Sequence, residues 1–138
     1  MSESPLGQFC WFDLMTPDPE SAPAFYSAVT GWSTTPFDGA GEPYTMFVNG
    51  EQPVAGVMAL SAEAVAAGAP PHWLAYISTP DVKATTATAV DLGGTVLAEM
   101  DIPTVGSFAI IADPQGAVFA PFQPLDSAPG HDGPPRVG

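Results

Sequence analysis

The chain has 138 residues, enough for one domain and short for two, and its 46% apolar content can build a core. Its 15 acidic residues face only Lys83 and Arg136, giving a formal charge of −13. Phosphate neutralisation needs several Lys or Arg, so nucleic acid is excluded as a partner and an anionic membrane surface is disfavoured.

The N-terminal "MSESPLGQ" has neither a basic n-region nor an apolar h-region, and no apolar run is long enough to cross a membrane, so the expected location is cytoplasmic. The first β-like run is "FCWFDLM", residues 9–15. It contains the single cysteine, Cys10, which forbids an internal disulfide and is expected to be buried and inert. A helical run, "PESAPAFYSAVTG", follows, with Phe25 and Val29 as an i,i+4 apolar pair. An interior Pro23 would cost a backbone hydrogen bond, so this helix is expected to begin at Ser21 with Pro23 in its first turn. The β-like runs "YTMFV" and "VAGVMAL" come next, joined by "NGEQP", whose Asn-Gly favours a tight turn. Glu51 in that turn reads as surface.

After the linker "SAEAVAAGAPP" the pattern restarts. Thr-Pro-Asp occurs at 16–18 and again at 79–81, a shift of 63 residues that also carries Gly31 onto Gly94. Each copy sits between a β-like run and a helix-like run, so the chain reads as a duplicated β-α-β-β(-β) unit. In the second copy Asp81 is placed to cap a helix and Gly93-Gly94 to close it. Val82, Ala89 and Leu92 share a face there, with Thr85 the less apolar member. The strands "TVLAEM", "SFAII" and "AVFAPF" complete the unit, the last two linked by the turn "DPQG". Residues 125–138, Pro/Gly-rich and holding His131, are expected to fray.

Together "FCWFDLMTPDPESAPAFYSAVTGW", "VAGVM", "PPHWLAYI", "LGGTVL" and "DIPTVGSFAIIADPQGAVFAPFQ" resemble the vicinal oxygen chelate superfamily of glyoxalases, bleomycin-resistance proteins and extradiol dioxygenases. The resemblance covers about residues 7–124. It implies an α+β fold of two βαβββ modules, residues 7–60 and 71–124 with linker 61–70, forming one domain around a shared open-barrel cavity. A homodimer is a further expectation from the resemblance alone.

Metal-using members of that superfamily place His, Gln or Glu on the first and last strands of each module. Those positions here are Trp11, Leu74, Ala120 and, near the end of the first module, Val57. None is a ligand, and 54–60 and 117–122 hold no His, Glu, Asp or Gln. A divalent site needs about three such ligands, so neither metal nor other cofactor is expected.

Alternation along the first strand turns Trp11, Asp13 and Met15 to the cavity side, with Cys10, Phe12 and Leu14 opposite. The second module offers His72, Leu74, Tyr76 and Ser78, and the last strands offer Met58, Val118, Ala120 and Phe122. The expected ligand is a small, largely apolar organic molecule, a secondary metabolite or a cationic antibiotic attracted by the acidity. The competing reading is a metal-free isomerase, cyclase or lyase, with Asp13 as general base and His72 or Tyr76 as partner. A metal-dependent lyase or dioxygenase is the third. Asp13 is the sharpest residue, because a carboxylate on an apolar strand resists ionisation, unless it simply bonds a neighbouring strand's Tyr or backbone. His72 reads as a rim residue bonded to backbone or ligand. Glu99 and Asp101 read as solvated.

Overall fold

A computed structural model describes residues 6–37, 44–102 and 105–125. Among these, the elements run β1 (Phe9–Thr16), α1 (Ala22–Thr30), β2 (Ser33–Phe37), β3 (Tyr44–Asn49), β4 (Gln52–Ala59), α2 (Ala62–Ala66), β5 (His72–Ser78), α3 (Val82–Asp91), β6 (Thr95–Ile102), β7 (Gly106–Ala112) and β8 (Val118–Pro124). Leaving α2 aside, this is βαβββ written twice, an α+β fold. His131 lies outside the described residues.

The two copies have the same pairing. In the first, the strand order is β2-β3-β4-β1, with β2, β3 and β4 antiparallel and β1 parallel to β4. In the second, β6, β7 and β8 are antiparallel and β5 is parallel to β8. The chain divides into two compact units, residues 12–74 and the remainder on either side. Within the latter, Gly7 N–H donates to Ser78 O at 2.9 Å and Ser78 N–H to Gln8 O at 2.8 Å, which joins the segment before β1 to the end of β5.

The Thr-Pro-Asp turns share two backbone-to-side-chain bonds. Thr16 Oγ1 accepts from Asp18 N–H at 3.1 Å, and Thr79 Oγ1 accepts from Asp81 N–H at 3.1 Å. Each aspartate's Oδ1 in turn accepts a backbone N–H, from Ser21 or from Ala84, at 3.1 Å. These local bonds turn the chain from strand into helix at both sites. Asp81 is the N-cap of α3, as its position predicts. In α1 the N-cap is Ser21 and Pro23 falls in the first turn, where a missing N–H costs nothing.

The core of the first unit is Phe47, Ala55 and Val57, covered by Tyr26 and Trp32. Tyr26, Trp32, Phe47 and Trp73 form one aromatic cluster with centroids 5.1 to 6.4 Å apart, and Trp73 Nε1–H donates to Tyr26 Oη at 3.3 Å. In the other unit Val82, Ala109 and Ile111 pack with Ala89 and Phe119.

Several expectations need correction. Strand β2, "STTPF", carries Pro36 and lies at the end of its strand order, where a proline costs no ladder bond. That proline hides it from strand patterning. The linker holds α2, capped by Ser61, which accepts from Ala64 N–H at 3.0 Å. Phe25 and Val29 are 61% and 65% exposed, because α1 packs through Tyr26, one residue round. Leu92 is 73% exposed, since it is already the C-cap of α3 and has left the helical stripe. The left-handed glycine after α3 is Gly93 (φ 101°), one step earlier than the repeat suggests, while α1 closes on Gly31 (φ 83°). Gly94 instead sits where a Cβ would press on Ala89 O and Ala112 O. Cys10 is exposed because the start of β1 is uncovered, as Phe9 at 63% also shows. Partial burial of the thiol itself still pushes its pKa up to about 11.

Candidate functional site

Strand register sorts the residues of the first unit into two faces, because directly paired residues point the same way. Leu14 pairs with Val57, and Phe47 with Ala55; this is the face under α1. Asp13 pairs with Gly56 and Gly56 with Met46, while Met15 pairs with Met58. The face turned from α1 therefore carries Asp13, Met15, Met46 and Met58 around a glycine.

Asp13 is the polar centre of that face and is only 3% exposed. Tyr44, the first residue of β3, donates its phenolic hydrogen to Asp13 Oδ1 at 2.6 Å. A contact of this length lies at the short end of the range for O–H···O hydrogen bonds. The Phe37 ring stands edge-on to Tyr44 at 6.0 Å, and Phe37 pairs with Tyr44 in the β2–β3 register. Tyr44 is thus held from both sides, by an aromatic neighbour and by the carboxylate.

The other unit presents a different surface. Tyr76 pairs with Ala120, Ser78 with Phe122, and Phe108 with Phe122. The Tyr76 ring is edge-on to Phe108 at 5.2 Å and to Phe122 at 6.3 Å. Tyr76 and Ser78 are both 5% exposed and Ala120 is 0% exposed, so this face is filled by its own aromatic side chains.

His72 is half-buried at the start of β5, and its Nδ1 lies 2.8 Å from Pro70 O. A carbonyl only accepts, so Nδ1 is the donor in this contact. Trp11 is half-buried and Leu74 is 1% exposed. Of the residues singled out from the sequence, Asp13, Met15 and Met58 converge in one unit and Tyr76, Ser78, Ala120 and Phe122 in the other. Glu99 and Asp101 are exposed, and Asp101 Oδ1 accepts from Ser107 Oγ at 2.6 Å.

Sequence reasoning missed Tyr44, Met46 and Gly56. Signals for them existed: Tyr44 and Met46 alternate on β3 as Asp13 and Met15 do on β1, and a glycine inside a strand marks a close approach.

Among the described residues no group of three His, Cys, Asp or Glu side chains could hold a metal ion. The strand positions that would carry ligands hold Trp11, Val57, Leu74 and Ala120, which lack donors for a divalent ion. Among the described residues, these positions do not fit such a centre. No helix among the described residues is long and apolar enough to cross a membrane.

The same architecture is found in solved structures. A methylmalonyl-CoA epimerase in complex with methylmalonyl-CoA superposes with a TM-score of 0.56 at 16% identity, covering 88% of this chain and 97% of that one. The methylmalonyl-CoA epimerase from Mycobacterium tuberculosis gives 0.56 at 14% identity, covering 91% and 93%. At such identities the likeness defines the fold alone. The family is defined by sequence: residues 10–121 match the glyoxalase-like domain, and the chain belongs to that family.

Among its relatives, "Putative glyoxylase CFP32" of Mycobacterium tuberculosis is 41% identical over 120 residues, 86% of this chain and 44% of the relative. "Anthracycline biosynthesis protein DnrV" of Streptomyces peucetius is 34% identical over 127 residues, 83% of this chain and 46% of the relative. The chain thus spans less than half the length of these relatives.

Proposed function

We propose that the chain binds a small, largely apolar organic molecule on the face of β1, β3 and β4 that carries the Asp13–Tyr44 pair. The observation that carries this reading is a buried carboxylate on an otherwise apolar face, bonded by one phenol and flanked by Met15, Met46 and Met58. Such a face offers polarisable, adaptable thioethers to a ring system and one polar anchor for orientation. The name of the Streptomyces peucetius relative supports an aromatic secondary metabolite as the ligand class. The charge of −13 favours a cationic one.

A second reading is a metal-free isomerase or lyase, with Asp13 as the base. It draws on the fold shared with epimerases, which is analogy, and on Tyr44, whose hydroxyl donates to the carboxylate and orients it. Tyr44 then joins His72 and Tyr76 as a candidate partner.

The test has two parts. Native mass spectrometry of untagged protein shows whether an organic adduct is carried through purification. Titration with 1,4-dihydroxyanthraquinone then compares the wild type with Asp13→Asn. Loss of a charge-assisted hydrogen bond lowers affinity about 10-fold or more. Equal affinity in the two proteins would place the binding elsewhere. Binding kept in Asp13→Asn, together with conversion of an identified adduct by the wild type alone, would select the enzyme reading.

A further inference from the structure

We infer that Gly56 is the positioning residue of the Asp13–Tyr44 pair, and that it is glycine for the space it leaves rather than for its backbone. The inference concerns the site proposed above, but its geometry stands whether or not that site binds a ligand.

Gly56 is absent from the residues with positive φ, so its backbone is one that any residue adopts. It lies inside β4, where a glycine weakens the strand and leaves nothing to pack. Its neighbours in sequence, Ala55 and Val57, are buried on the α1 face. A side chain at 56 would point to the other face, and there the space is already taken. A Cβ built on Gly56 overlaps Tyr44 Oη, Tyr44 Cζ and Asp13 Oδ1, the two oxygens of the hydrogen bond among them.

Register explains the crowding. Gly56 is flanked by Asp13 on β1 and by Met46 on β3, two residues on from Tyr44. The phenol reaches Asp13 by lying across the bare backbone of β4. Any side chain at 56 would therefore separate donor from acceptor, leaving a buried carboxylate without that partner.

The test uses protein carrying 13Cζ-labelled tyrosine, in which Tyr44 is one of three tyrosines and is assigned by the loss of its signal in Tyr44→Phe. In the wild type, Asp13→Asn should shift the Tyr44 signal. In Gly56→Ala the same Asp13→Asn change should leave it in place, because the two groups no longer touch, while the Tyr26 signal is the same in all proteins. A Tyr44 signal that responds to Asp13→Asn as strongly in Gly56→Ala as in Gly56 protein would overturn the inference. Should Gly56→Ala fail to fold, the double variant Gly56→Ala/Tyr44→Ala frees the space. Recovery of the fold supports the steric role, and failure to recover overturns it. Binding of 1,4-dihydroxyanthraquinone separates the two proposals. If the signals behave as expected but the probe binds all variants equally, Gly56 positions the pair and the ligand site lies elsewhere.

Discussion

The two modules start alike and finish differently. Thr16 and Thr79, and Asp18 and Asp81, make the same bonds at the same distances, and each first strand runs parallel to the last strand of its module. The faces of those strands share little. One pairs Asp13 with Gly56 and surrounds them with methionines; the other pairs Tyr76 with Ala120 and packs it against Phe108 and Phe122. Position 13 and position 76 are equivalents under the 63-residue shift, one a carboxylate and the other a phenol. Turns are preserved because local hydrogen bonds need particular side chains at fixed offsets. A sheet face asks only that its volume be filled, so it is free to carry a buried carboxylate in one module and aromatic packing in the other.

Six substitutions sharpen or break that comparison, in decreasing order of effect. The cores should be equally demanding: Phe47→Ala and Ile111→Ala each remove a side chain that is 0% exposed, and each should cost about 2–5 kcal/mol in denaturant unfolding. A small loss at either site would mean that its module is loosely packed. The site pair comes next. Tyr44→Phe deletes the hydroxyl that bonds Asp13 and should cost about 1–3 kcal/mol, read the same way. No loss at all would show that Asp13 is satisfied without it.

The helix starts should differ. Asp81→Ala removes a side-chain cap and should cost about 1 kcal/mol, whereas Ser21→Ala removes none and should stay within about 0.5 kcal/mol. Equal effects would contradict the two cap geometries. The smallest signal is a pH dependence at Asp18. Its hydrogen bonds with Ser21 hold the carboxyl below its ordinary value of 3.8. A depressed folded pKa adds stability above the unfolded value and loses it as pH falls through the folded one. Unfolding midpoints of the wild type should therefore converge on those of Asp18→Asn as pH drops below 3.8. A constant gap would rule the linkage out.

Much of this was legible in the chain itself. Strands β1, β3 to β8, helix α3 and the repeat could be read because alternation, caps and turn residues act over a few positions. The helix faces were harder. Phe25 and Val29 look like a buried pair, yet only the packing of Tyr26 against Trp32 and Phe47 decides which side of α1 is covered. Cys10 failed similarly, since its apolar run says nothing about whether anything lies over it. Asp13 could be selected as a carboxylate on an apolar strand, but its partner could not. Tyr44 is 31 residues away and meets it across a third strand.

The sequence alone determined the duplicated βαβββ plan and the family. Periodicity, turn chemistry and residue identity are local properties, readable one segment at a time. Tertiary structure decided which phenol bonds Asp13, that Met46 joins Met15 and Met58, and that Gly56 is a space rather than a hinge. Those facts depend on strand register, which sets neighbours by pairing between distant segments and leaves no mark in either segment on its own.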